Sequence, residues 1–138
     1  MRVIALVENT SISKDYKSKH GLCLYIETKK HKLLFDLGSN SLFLGNAVKL
    51  DVDISDIDSV IISHGHNDHG GALKYFLENN AKANIYISRY AFEEYYANIL
   101  GMKWYVGLDR KLKDNPRIIL IEDEYVIDED CLLYTSDA

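Results

Sequence analysis

The order of apolar and polar positions along the chain divides it into short runs of contrasting period. Arg2 to Val7 is a compact β-forming run that stops at Glu8-Asn9-Thr10, and Gly21 to Thr28 sets Leu22, Leu24 and Ile26 against Cys23, Tyr25 and Glu27. Both predict strands. The polar turn Lys29-Lys30-His31-Lys32 leads into Leu33-Leu34-Phe35, a hairpin partner closed by Asp36-Leu37-Gly38. From Ser41 to Leu50, Phe43, Leu44, Ala47 and Val48 recur at helical spacing, with Asn40 or Ser39 as expected N-cap and an end near Asp51.

Ser59-Val60-Ile61-Ile62 is a continuous apolar run of the kind a buried strand shows. Past it, Ala72, Leu73, Phe76 and Leu77 make one helical face that Glu78-Asn79-Asn80 interrupts. Asn84 to Ser88 is expected to be a strand, Ala91 to Leu100 a helix, Gly101 to Asn115 an irregular loop, and Arg117 to Glu122 a late strand set off by Pro116. Paired strands alternating with helices describe a layered α/β domain.

Composition narrows the function classes. At 138 residues and 47% hydrophobic the chain can bury one core. A net charge of −5, with both signs scattered, argues against a nucleic-acid partner, which would need a concentrated basic face. No apolar run is long enough to span a bilayer, and Glu8 interrupts the N-terminus before a signal-peptide core could form, so a cytoplasmic protein is expected. Cys23 and Cys131 form no CxxC pair, which leaves neither a disulfide framework nor a thiolate metal site. Cys131 to Ala138 reads like a translated sequencing adapter, so the native segment is expected to be 1–130 and 131–138 a non-native tail.

The chemistry concentrates directly after the Ser59–Ile62 run, in Ser63-His64-Gly65-His66-Asn67-Asp68-His69-Gly70-Gly71. In an extended loop, imidazoles two residues apart can turn toward one ion, while Asp68 and His69 project to a neighbouring position. Two adjacent divalent ions would lower the pKa of water and clamp both the attacking and the leaving oxygen of a hydrolysed group. Imidazole and carboxylate ligands suit zinc, manganese and iron alike, with zinc the provisional choice. Asp68 can bind one ion and orient the nucleophile, which makes it the candidate catalytic residue. Ser63 lacks a GxSxG context and is not expected to be a nucleophile. Asp36, at a strand end, is a candidate to hydrogen-bond a metal-bound histidine from behind. Asn9 and His20 are candidate pocket residues, each equally at home in an ordinary turn or loop. Tyr90, Tyr95, Tyr96, Trp104 and Tyr105 could wall an aromatic substrate, although plain packing on a helix face and in a loop is the simpler expectation.

Ile61 to His69 resembles the strand and HxHxDH loop of the metallo-β-lactamase superfamily. Within it, Val7-Glu8-Asn9-Thr10, His20-Gly21-Leu22, Leu34-Phe35-Asp36-Leu37-Gly38, Leu42 to Ala47, and Trp104 to Leu108 look like the dihydropterin-phosphate synthase-like branch. The resemblance implies the N-terminal half of an αββα sandwich, a metal-dependent hydrolase acting on a small phosphate- or carbonyl-bearing molecule, and a dinuclear site. By carry-over, His64 and His66 would hold one metal and Asp68 and His69 the other. A later His, a bridging Asp and a last His of that pattern have no counterpart in these residues, so the chain by itself is expected to be inactive. The resemblance to HxExDH redox members is weaker, because His66 stands where their Glu does. The rival reading is a non-catalytic metal-binding fragment or binding module.

Overall fold

A computed structural model describes residues 1–134. Its strands are β1 (Arg2–Val7), β2 (Cys23–Glu27), β3 (Lys32–Phe35), β4 (Ser59–Ile62), β5 (Asn84–Ser88), β6 (Tyr96–Ile99), β7 (Met102–Tyr105), β8 (Ile118–Ile121), β9 (Glu124–Asp128) and β10 (Cys131–Tyr134). Its helices are α1 (Leu42–Lys49), α2 (Asn67–Gly70) and α3 (Leu73–Asn79). Six strands form one sheet in the order β1-β2-β3-β4-β5-β8. The first three pair antiparallel; from β3 onward the pairs are parallel. Parallel neighbours require crossover connections, which α1 provides between β3 and β4, and α2 with α3 between β4 and β5.

Strand register sorts the two faces. Leu6, Cys23, Tyr25, Leu34, Val60, Ile62, Ile85 and Ile87 are buried and share one core with Phe43 and Ala47 of α1 and Leu73 and Phe76 of α3. Opposite lie Val3, Leu24, Ile26, Phe35 and Ile61, which alternate with the core residues and are only partly covered or exposed. This is an α/β arrangement with one helical layer on one face of a mixed sheet, as expected for half of an αββα sandwich. The Cys23 thiol is fully buried, and burial raises its pKa well above the ordinary value, so it acts as a core residue.

The described residues depart from the sequence reading in several places. The expected helix over Ala91–Leu100 is instead a turn followed by β6, and the expected loop after Gly101 contains β7 and a 3-10 turn at Arg110–Asp114. Leu100 (φ 53°) and Gly101 (φ 78°) both take left-handed backbone, which is the two-residue turn that matches the twist of a tight hairpin. A short aromatic and β-branched run therefore satisfied strand pairing where its spacing also permitted a helix. In α1, Ser41 is the N-cap and the Asn40 side chain accepts from the Leu42 N–H. Val48 faces solvent, and Asn46 takes a buried place, donating to the carbonyls of Leu6 (2.8 Å) and Lys17 (3.0 Å). The first bond ties the helix to β1 and the second holds the segment 8–20 against it.

β9 and β10 form an unexpected hairpin. Tyr125 packs on Tyr86 with ring centroids 5.2 Å apart, and His31 is held between Asp58 (3.1 Å) and Asp128. Positions 131–134 of the expected tail pair with β9, while 135–138 lie outside the described residues.

Candidate metal centre

The site grows out of the adjacent ends of β3 and β4. Asp36 follows β3 with φ 57°, a left-handed conformation that Asp tolerates better than most residues, and its side chain is fully buried. That turn aims the carboxylate across β4. Its Oδ1 accepts from the Ser63 N–H at 2.7 Å; its Oδ2 accepts from the Ser63 hydroxyl at 2.6 Å and from His69 Nδ1 at 2.7 Å. A buried carboxylate is tolerated only with such partners.

These bonds fix the imidazoles. With Ser63 donating to Asp36, the Ser63 oxygen is left to accept from His64 Nδ1 at 2.8 Å. His69 donates its own Nδ1–H to Asp36. Both rings are therefore placed to donate from Nδ1, and in the neutral form that tautomer leaves the Nε2 lone pair to a cation. Burial, then the neighbouring His69 and His66, hold the His64 pKa below the usual imidazole value, which favours the neutral ring that a metal requires.

The ligand loop folds onto this base. His66 caps α2 in an extended conformation, and its carbonyl accepts from the N–H groups of His69 and Gly70, both at 3.1 Å. The turn places Asp68 and His69 beside His64. One ligand atom from each of His64, Asp68 and His69 lies within 4.8 Å of the others, making them the group among the described residues suited to hold an ion. His66 is adjacent, its ring centroid 4.8 Å from that of His64, which in turn is 4.3 Å from that of His69. At Gly65 the backbone presses so closely on the Ala91 carbonyl that a Cβ would sit 2.2 Å from that oxygen.

The other candidates fall at or near the same place. His20 Nε2 approaches Asp68 Oδ2 at 3.1 Å, although the His20 side chain is 78% exposed. Gly21 (φ 134°) allows this by lying against the Asp68 carbonyl, where a Cβ would come within 2.2 Å. Asn9 Oδ1 accepts from the Gly21 N–H at 3.0 Å and so braces the loop that carries His20. Leu37 is buried and offers no hydroxyl, but its N–H donates to the His69 carbonyl at 2.7 Å.

Sequence reasoning gave three residues no place around the ligands, although Tyr95 was named as a possible substrate wall. Ser63, dismissed as a nucleophile, is the link that orients His64. Tyr95 meets the edge of His66 with centroids 5.4 Å apart, and the Val106 carbonyl accepts from the Asn67 N–H at 2.8 Å. A strand-end serine beside a histidine was a signal for the first. No local pattern marked the other two, because they arrive from a distant hairpin.

The fit to a metal is favourable on chemical grounds: imidazoles converge with a carboxylate, and acceptors hold two of the rings from behind. Comparison with known proteins agrees. The family model for the metallo-beta-lactamase superfamily matches residues 19–132. The chain is 32% identical over 133 residues to "Uncharacterized protein MJ0448" of Methanocaldococcus jannaschii, covering 93% of this chain and 50% of that protein. It is 46% identical over 54 residues to "Probable RNase MJ4" of the same organism, covering 37% of this chain and 12% of that protein. Among solved structures, Tm1679, a metal-dependent hydrolase of the beta-lactamase superfamily, superposes with a TM-score of 0.73 at 28% identity, over 96% of this chain and 46% of that one. The chain thus spans about half the length of these two full-coverage relatives.

Proposed function

The chain belongs to the metallo-beta-lactamase superfamily, and from that premise we propose that the full-length protein is a hydrolase of small phosphate- or carbonyl-bearing molecules built on a dinuclear centre. His64 and His66 would hold one divalent ion and Asp68 and His69 the other, with zinc the provisional metal. The observation that carries the reading is the Asp36 carboxylate, which grips His69 directly and His64 through Ser63. A fortuitous surface cluster of histidines would have no reason to be so braced.

Bound divalent ions supply Lewis acidity at the scissile group and make water acidic enough to attack near neutral pH. The chain's own residues do the rest. Asp36 and Ser63 fix the ring orientations and select the neutral tautomer in which Nε2 is the free nitrogen. Asp68, facing His20 and His69, is placed to accept a proton or a hydrogen bond from the attacking water. His20, at the exposed rim, can bond to an anionic product.

The test is metal analysis and turnover of the full-length protein and its His66→Ala variant, on a panel of a phosphodiester, a lactone and a short RNA. We expect chelator-sensitive hydrolysis of a small substrate, and loss of at least one ion and most turnover in the variant, because an ion left underfilled exchanges with solvent. Wild-type metal content in His66→Ala would refute the ligand assignment. Cleavage of the RNA alone would move the reading to a nuclease, and stoichiometric metal with no turnover on any substrate would favour a binding module. Residues 1–130 alone are expected to be inactive.

A further inference from the structure

The segment from Glu8 to His20 joins β1 to β2 with little apolar packing of its own. Its large apolar residues are Ile12 and Tyr16, and Ile12 is 98% exposed. The segment hangs instead on polar ties to α1 and the helix end: Asn46 Nδ2 donates to the Lys17 carbonyl at 3.0 Å, and Lys49 Nζ donates to the Asp15 carbonyl at 2.6 Å. A strap suspended in this way does not interdigitate with the surface beneath it, as a packed core does. Between the strap, β1 and the end of α1 lies a cavity of about 250 Å3.

The inner wall is aliphatic. Ile4 and Leu6 come from β1 and Leu50 from the end of α1, while Tyr16 approaches from the strap. Ile4 and Leu6 lie on the helical side of the sheet, with the core, whereas Val3, Leu24 and Ile26 lie on the side that a second sheet of an αββα sandwich would cover. One polar group interrupts the wall. Asn46 lines the cavity and is only 4% exposed. Both of its N–H bonds are committed, to the carbonyls of Leu6 and Lys17, which fixes the orientation of the amide. Its Oδ1 accepts from no donor among the described residues. A buried acceptor without a donor is costly, so this wall calls for one O–H or N–H. Charge makes no competing demand, since Glu8 and Lys17 at the rim are exposed and of opposite sign.

We propose that this cavity is a binding site for a small, uncharged, mainly aliphatic molecule that carries one hydrogen-bond donor, which Asn46 Oδ1 accepts. No candidate metal ligand lines it, and the inference does not rest on the hydrolase reading. An apolar cavity of about 150 Å3 already admits a benzene-sized molecule, so the volume suits a compact mono- or bicyclic skeleton. Burial against Ile4, Leu6 and Leu50 supplies the affinity. The single polar contact supplies selectivity, because a ligand of the same shape without the donor leaves the acceptor unpaired.

The test uses borneol and camphor, which share one bicyclic hydrocarbon skeleton and differ in that borneol has a hydroxyl where camphor has a carbonyl. Affinities would be measured by calorimetry on the full-length protein. We expect saturable binding of borneol, about tenfold tighter than that of camphor, the scale of one hydrogen bond to a buried acceptor. Nuclear Overhauser contacts from the borneol methyls to the side chains of Ile4, Leu6 and Leu50 should locate it in the wild type, without any variant. Leu50→Trp, which fills the cavity, should weaken borneol at least tenfold, while Val48→Ser, on the exposed side of α1, should leave its affinity unchanged. Absence of saturable borneol binding to the full-length protein overturns the inference, whatever occupies the cavity there. Equal affinities for the two probes, contacts to other residues, or full affinity in a folded Leu50→Trp protein overturn it as well. Each of these results leaves the metal reading standing.

Discussion

Replacing Asp36 by Asn changes the metal centre without touching a candidate ligand. Asn accepts left-handed backbone as readily as Asp, so the φ of 57° is preserved and the volume hardly alters. The hydrogen-bond inventory does alter. Three donors converge on the Asp36 carboxylate: the Ser63 N–H on Oδ1, and the Ser63 hydroxyl and His69 Nδ1 on Oδ2. The amide oxygen of Asn can keep the Ser63 N–H, which leaves an NH2 group facing His69 Nδ1. Ser63 can rotate its hydroxyl to accept, but His69 escapes a donor-donor clash only by moving its proton to Nε2, the atom the metal needs. The loss is one charge-assisted bond to a buried group, ~1.5–3 kcal/mol. That corresponds to about 10–100-fold in metal affinity, the range found when a partner behind a metal-bound histidine is removed. The assay is competitive titration with a chromophoric chelator on the full-length protein, comparing wild type and Asp36→Asn. The ion assigned to His69 should weaken by that factor, with the other ion weakened less, since His64 is reached only through Ser63. Unchanged affinity at both positions would show that the Asp36 network does not set the tautomers.

Two further outcomes test the fold around the site. Gly65→Ala must push a Cβ against the Ala91 carbonyl, a contact of backbone that cannot rotate away, and should lower stability by ~1–3 kcal/mol in urea melts; an unshifted midpoint would contradict the close approach. The Asp128 and Asp58 carboxylates raise the His31 pKa, in that order of effect. A raised imidazole stabilises the folded state fully below its unfolded value of about 6.5, and that contribution is lost as pH rises through the higher folded value. Asp128, lowered chiefly by His31, reports the same pair from the acid side, where the contribution disappears as pH falls below about 3.9. Stability should therefore decline as pH rises above about 6.5 in the wild type and change less in His31→Gln; identical slopes in urea melts would remove His31 from the account.

What the sequence disclosed and what it hid follow from the range of the interactions. The ligand string His64 to His69 is local, so its spacing was visible directly, and the alternation in β2 and the apolar run of β4 likewise needed no partner to be recognised. The tie between Asp36 and His69 could be suspected from a strand-end carboxylate, but its geometry depends on parallel pairing of β3 with β4. The span 91–105 was misread because seven apolar and aromatic residues in the ten from Ala91 to Leu100 satisfy a helical face and a strand about equally, and the deciding feature was a tertiary one, the Val106 carbonyl held by the ligand loop. His20 was marked only by its neighbouring glycine and the His20-Gly21-Leu22 resemblance, and its contact with Asp68 was not legible, since the segment 8–20 has no regular period and is fixed by Asn9 and Asn46.

The distance in sequence between Asp36 and the residues it braces has a thermodynamic consequence. All four candidate ligands lie within six consecutive positions, so an unfolded chain can also wrap them around an ion. A metal held equally well by both states would add nothing to stability, however tight the binding, because linkage counts only the difference in affinity. The Asp36–His69 contact spans 33 residues and exists only once the β3-to-β4 crossover is in place. This buried carboxylate, with the other long-range contacts on the ligand loop, is therefore what lets the cation distinguish the folded chain from the unfolded one and makes metal uptake report on folding.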